Sequence, residues 1–209
     1  SALDMQLPIN KIILHLCAKY GSDSLPYREN GYDVRIVGED IGVENYHPPE
    51  NVYGIIANPP CTKFSKAGWQ IKKKDRDFKE GMRLVKECLR VIWEVQEKGA
   101  QLQFWVLENP EGYLSQFIGR PYFKYQPWQF GETGVLATKR TCLWGYFNAP
   151  KPTVEIRTIP LRQKKSEYEK LRLFPIGERG GGKDWSCLTA EERSYCSQKF
   201  AQAFYEANK

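Results

Sequence analysis

Four short runs of apolar and branched residues, each cut off by polar or turn-forming residues, set the tightest limit on what this chain can fold into. They are residues 11–17 (KIILHLC), 32–37 (YDVRIV), 52–57 (VYGIIA) and 102–107 (LQFWVL). Each has the length of a buried strand, far below the roughly 20 apolar residues that cross a bilayer. After the first run, Gly21 to Ser24 offers a turn, and a helix is expected through Pro26 to Gly31, with proline tolerated in its first turn. Residues 38–51, with Pro48-Pro49, leave no room for a helix–strand unit. From Lys74 to Gly99, Met82, Val85, Cys88 (or Leu89), Ile92 and Val95 recur at helical spacing, and Gly99 stops the helix. Residues 138–147 (TKRTCLWGYF) predict a later strand. Strand alternating with helix predicts a compact α/β fold with a doubly wound, mostly parallel sheet.

This core is expected over residues 1–150. Residues 151–186 are rich in Lys, Arg, Pro and Gly, including Gly180-Gly181-Gly182, and predict an irregular basic segment. Thr189-x-x-Glu192 forms a capping box for a last helix to about Asn208, so residues 187–209 are expected to pack back on the core. The N-terminus shows no basic region followed by an apolar run, so no signal peptide is expected. Six cysteines are scattered with no CxxC pair, and only His15 and His47 could join them as nitrogen ligands. Reduced intracellular thiols are therefore expected rather than a zinc site. The net charge of +6 favours a polyanionic partner without demanding one.

In open α/β sheets, ligands bind beyond the carboxyl ends of the strands. Four predicted strand ends carry reactive or ligand-binding residue types: Cys17 to Ser24, Glu39-Asp40, Asn58 to Ser65, and Glu108-Asn109-Pro110. In NPPCTKFS (58–65), Cys61 follows two prolines that stiffen its backbone. A thiolate there suits covalent catalysis, for instance addition to carbon-6 of cytosine, which makes carbon-5 able to accept a methyl group. In LENP (107–110), Glu108 follows an apolar run, and partial burial favours its protonated form, which can bond ring nitrogen 3 and the exocyclic amine of cytosine.

Together these residues resemble the cytosine carbon-5 DNA methyltransferase family. Its PC…FS motif is matched by Pro60-Cys61-Thr62-Lys63-Phe64-Ser65, and its ENV motif by Glu108-Asn109-Pro110, with proline in place of valine. The chain is similar to short phage and prophage members across LHLCAKYGSDSLPYRENGYDV, DIGVENYHPP, LENPEGYL, KRTCLWGYF and FAQAFYEAN. The resemblance implies a Rossmann-like fold and S-adenosylmethionine as methyl donor. It implies Cys61 as nucleophile, Glu108 as the residue on the base edge, and Arg140 of the TKRT stretch near the family's basic strand motif. The donor would contact Leu16, Cys17, Gly21, Ser22, Asp23, Asn58, Pro59 and Pro60, with Glu39 or Asp40 on its ribose and Ser194 and Ser197 closing the pocket. The family's glycine-rich turn is reduced here to one glycine, Gly21, with Ala18 and Lys19 beside it.

DNA is the expected partner, gripped through phosphates by Lys63, Ser65, Lys66, Lys72, Lys73, Lys74 and Lys139. The 162–165 basic run offers further contacts. Fewer residues separate Pro150 from Trp185 than a usual recognition domain needs. That predicts loose sequence selectivity, a specificity partner, or a smaller acceptor such as RNA cytosine or a free cytosine nucleotide. Two further readings stay open. Asn58-Pro59-Pro60 resembles the NPP core of exocyclic-amino methyltransferases, and the altered turn suits a non-catalytic binding module. A monomer, no membrane association, and a cytoplasmic location in a bacterial host or phage-infected cell complete the expectation.

Overall fold

A computed structural model describes residues 11–65, 71–99, 101–132, 135–154 and 196–209. Six strands form one sheet: β1 (Ile12–Leu16), β2 (Asp33–Val37), β3 (Val52–Ala57), β4 (Phe104–Pro110), β5 (Phe123–Tyr125) and β6 (Thr141–Tyr146). Their order is β2-β1-β3-β4-β6-β5. Strands β2, β1, β3 and β4 are parallel neighbours, whereas β6 runs antiparallel to both β4 and β5. The chain leaves β1 for β2 on one side and returns across it to β3 on the other. Such a reversal opens a crevice beyond the carboxyl ends of β1 and β3.

Strand alternation sends side chains to two separate cores. Ile12, Leu14 and Leu16 of β1 join Ile55, Leu107 and the buried stripe Val85, Cys88, Ile92 and Val95 of helix α2 (Phe78–Glu97). Ile13, with Ile56, Phe104, Val106 and Leu143, faces α1 (Leu25–Glu29) and the C-terminal helix α4 (Gln198–Ala207) through Tyr27, Phe200, Phe204 and Tyr205. Aromatic contacts bind this second layer. The Tyr27 ring lies 5.0 Å from Tyr205 and 5.5 Å from Phe104, and its hydroxyl donates to the Asn208 carbonyl at 3.0 Å.

The four sequence-predicted strand runs are strands here, within a residue or two at most ends. Helix α2 begins at Phe78 rather than Lys74, because Asp77 caps it by accepting from Glu80 N at 3.0 Å; residues Lys73–Asp75 form a separate 3-10 turn. Strand β4 does not stop at Leu107. Pairing with β6, at Glu108↔Leu143, Asn109↔Cys142 and Pro110↔Thr141, extends it through the whole ENP triplet. Strand β5 and the short helix α3 (Ser115–Ile118) were not expected from the sequence. The Thr189–Glu192 capping box and residues 155–186 lie outside the described residues. Helix α4 starts at Gln198, where Ser197 Oγ accepts from Phe200 N at 3.2 Å.

Candidate functional site

The crevice at the carboxyl ends of β1, β3 and β4 holds a cavity of about 300 Å³. Its walls bring together the turn from Cys17 to Asp23, the segment Asn58 to Cys61, Glu108 and Pro110 of β4, Lys139, and Cys196 to Ala201 at the start of α4. A second hollow of about 640 Å³ adjoins it, sharing Cys17, Ala18, Lys19 and Pro60 and lined further by Gly38, Glu39 and Asp40.

The turn after β1 is built for close approach. Cys17 takes a left-handed conformation (φ 57°) although it is not glycine, and Gly21 (φ 69°) leaves room that a Cβ would deny, since that atom would lie 2.7 Å from Ile36 Cδ1. Cys17 N donates to Val37 O and Asn58 N to Leu16 O, each at 2.9 Å, so the turn is fixed to both neighbouring strands.

Cys61 sits at the mouth of a second tight turn. Its carbonyl accepts from Phe64 N and Ser65 N at 2.9 Å. The turn is seated by Phe64, fully buried against the ring of Phe78. Gly112 allows it to dock, because a Cβ there would fall 2.2 Å from the Phe64 carbonyl oxygen. Arg76 donates to the Lys63 and Ser65 carbonyls at 3.2 and 3.0 Å. Cys61 is half-buried and not in a disulfide.

Two adjacent pairs, Asn58-Pro59 and Glu108-Asn109, clamp the Cys61 loop to β4 reciprocally. Asn58 Nδ2 donates to Glu108 Oε2 at 3.1 Å, and Asn109 Nδ2 donates to the Pro59 carbonyl at 3.0 Å. The same Asn58 amine also donates to Asp23 Oδ2 at 2.7 Å, which turns Asn58 Oδ1 toward His15 Nε2. His15 must therefore carry its proton on Nε2. Burial, the leading influence, drives its pKa below the ordinary value and keeps the ring neutral, against the pull of Asp23 and of the Asn58 hydrogen bond. Nδ1 then faces the Ser24 hydroxyl at 2.8 Å, whose one proton is shared between this nitrogen and the Gly21 carbonyl at 3.2 Å.

The acid is tuned as its surroundings dictate. Burial pushes the Glu108 carboxyl above the usual carboxylate range; Lys139 opposes this, the Asp23 charge adds to it, and the Asn58 hydrogen bond opposes it. Burial first, then Asp23, drives the Cys196 thiol well above its ordinary range. Such a site sets a thiol beside a carboxyl whose pKa is raised, on the wall of a cavity that continues into a second hollow.

The structure brings Cys61, Glu108, Cys17, Gly21, Ser22, Asp23, Asn58, Pro59, Pro60 and Lys139 to the main cavity. It places Glu39 and Asp40 at the adjoining hollow. Arg140 is a correction. Its side chain is 71% exposed, pairs with Glu111 at 3.5 Å and does not line the cavity; Lys139, one residue earlier and so on the other side of the extended chain, does. Leu16 is a second correction: its side chain is fully buried in the α2-side core, leaving only its carbonyl near the turn. Ser65, expected at a phosphate, is buried and bridges Gly112. Lys63 is half-buried, while Lys72, Lys73 and Lys74 are exposed, with Lys73 donating to Gln116 at 2.8 Å. Ser197 lines the cavity; Lys66 and Ser194 lie outside the described residues.

Sequence reasoning gave no site role to His15, Tyr125 or Phe200, and named Ser24 and Asn109 only as members of strand-end clusters. A single histidine inside the apolar run KIILHLC was the available signal for the first. Among the described residues no group of three or more His, Cys, Asp or Glu side chains is placed to hold a metal. Among them, too, no helix is long and apolar enough to cross a membrane. Compared with protein-family models and with curated proteins, the chain matches none.

Proposed function

We propose that this chain transfers a methyl group from S-adenosylmethionine to carbon-5 of cytosine in DNA, through a covalent adduct on Cys61. One observation carries the reading: Cys61 and Glu108, from separate strand ends, line one cavity together with the β1 turn. The sheet order and its reversal at β1 support a Rossmann-like methyltransferase core. The cavity and its neighbour fit an elongated donor. The Cys17–Ser22 turn would hold its amino-acid end, Glu39 or Asp40 its ribose, and Cys196–Ser197 would close over it.

When bound, S-adenosylmethionine supplies an electrophilic methyl group on a sulfonium. The rest falls to the chain. The target base leaves the stack and enters the cavity. Cys61 Sγ adds to carbon-6 while Glu108, whose carboxyl burial pushes above the usual range, donates in its protonated form to ring nitrogen 3 and so takes up the charge of the addition. Once carbon-5, now enamine-like, had been methylated, its own proton would leave to solvent, ring nitrogen 3 would return its proton to Glu108, and the Cys61–carbon-6 bond would break to restore the ring and the thiolate. Asn58 and Asn109 hold thiol and acid in register.

The NPP motif argues for carbon-5 over the exocyclic amine. The Asn58 amide is already engaged by His15, Asp23 and Glu108, and the Pro59 carbonyl by Asn109. Both groups are thus already committed within the protein, which disfavours the amine-binding role, although each oxygen keeps a second lone pair.

The test is a trap. Duplex DNA carrying 5-fluorocytosine is incubated with protein and S-adenosylmethionine, then denatured and separated by size. A band of protein joined to DNA, lost with Cys61→Ser, is expected; its absence with wild-type protein in saturating donor overturns the proposal.

A further inference from the structure

A thiol pair joins the cavity wall to helix α2, one member on the β1 turn proposed above to hold the donor. Cys17, at the end of β1, and Cys88, in the middle of α2, bring their sulfurs to 3.7 Å, although 71 positions separate them. Cys17 is half-buried and lines both hollows, so a small solute in either one reaches it. Cys88 is fully buried in the core beneath it. Cys17 also holds a left-handed backbone at a non-glycine residue, a conformation that persists only where the surroundings impose it.

We propose that Cys17 and Cys88 form a peroxide-responsive modification site, in which oxidation joins them in a disulfide that ties the β1 turn to helix α2. The two sulfurs have distinct roles. The half-buried Cys17 reacts first and the fully buried Cys88 resolves. The two sulfurs lie within hydrogen-bond reach, and either can donate; when Cys17 is ionised the Cys88 S–H is the donor, and this contact is the main influence holding Cys17 below the usual thiol range, with burial and the Glu44 charge opposing it and Arg83 adding to it. The same bond and burial push Cys88 up, with Cys17 and Glu87 adding to the rise and Arg90 opposing it.

The Cys17 thiolate attacks one oxygen of the peroxide, the O–O bond breaks, and hydroxide leaves, giving a sulfenic acid. The Cys88 thiol then loses its proton as its sulfur attacks that of Cys17, and the hydroxyl departs as water. Two thiols are oxidised and one peroxide is reduced to two waters. The sulfurs must approach by about 1.7 Å to reach disulfide length. That movement draws the wall shared by the two hollows toward α2.

The experiment uses the full chain with stoichiometric hydrogen peroxide, alkylation of remaining thiols, intact-mass measurement and peptide mapping. The expected product lacks two hydrogens, shows a Cys17–Cys88 linked peptide and has lost two alkylatable thiols, reversibly with dithiothreitol. Cys88→Ser is expected to leave a Cys17 sulfenic acid that dimedone captures, and Cys17→Ser to leave Cys88 reduced. Wild-type protein that keeps both thiols, links either of them to another cysteine, or over-oxidises Cys17 while Cys88 stays alkylatable overturns the proposal. None of these readouts depends on methyl transfer.

Discussion

Asn109 is the residue whose replacement tests the clamp most sharply. It is fully buried on β4, donates to the Pro59 carbonyl at 3.0 Å, and carries on Oδ1 a buried acceptor with no partner. Asn109→Ala deletes one buried hydrogen bond, a net loss of about 0.5–1.5 kcal/mol. It strands the Pro59 carbonyl but also removes the orphan Oδ1, two opposing terms of about 1–3 kcal/mol each that largely cancel. The expected cost is about 1 kcal/mol, or a melting temperature lower by about 2–4 °C for a chain of this size.

Asn109→Asp behaves differently. Ionised, the new carboxylate has no donor to offer Pro59 and sits in the core as an uncompensated charge, at a cost of about 3–5 kcal/mol. Protonated, it donates to Pro59 and recovers most of that loss. Burial raises its folded-state pKa above the unfolded value, so its stability is retained at low pH and lost as pH rises through the raised value. Urea unfolding at about pH 5 and about pH 8 reads the contrast: the alanine deficit relative to wild type is the same at both, whereas aspartate lies near wild type in acid and well below alanine in base. An aspartate variant that matches alanine at both pH values would refute the reasoning, because the side chain would then be neither buried nor the donor to Pro59.

Glu108→Gln is expected to slow methyl transfer by about 10²- to 10⁴-fold. Because burial raises its carboxyl pKa, wild-type activity should fall as pH rises through that value and the variant should lose this limb, as a pH–rate profile checks. Wild-type stability carries the same sign: the Glu108 contribution is present in acid and fades as pH rises, so the glutamine variant should gain relative stability in base. Lys139→Ala should weaken turnover while Arg140→Ala, changing an exposed side chain, leaves it near wild type in a methyl-transfer assay. Tyr27→Phe strands the Asn208 carbonyl and should cost about 1 kcal/mol in urea unfolding.

The sheet's parallel half was legible because its strands are apolar runs ended by turn chemistry, and the site because reactive residues fell at those ends. What stayed hidden depends on contacts far apart in sequence. The antiparallel β4–β6 pairing carries Glu108 inside a strand, and nothing in ENP signals that. Lys139 and Arg140 are chemically alike, and only the path of the chain just before β6 decides which faces the cavity. Asn109 looks like a turn residue until β6 buries it, and Cys17 finds Cys88 only through the packing of α2 on the sheet.

The identity of the methylated base bears most directly on the whole account. DNA treated with the protein and isotopically labelled S-adenosylmethionine, digested to nucleosides and resolved by chromatography with mass detection, should carry its label as 5-methylcytosine. Label appearing as N4-methylcytosine or on adenine, or on no nucleoside from duplex DNA, tRNA or deoxycytidylate, would contradict it.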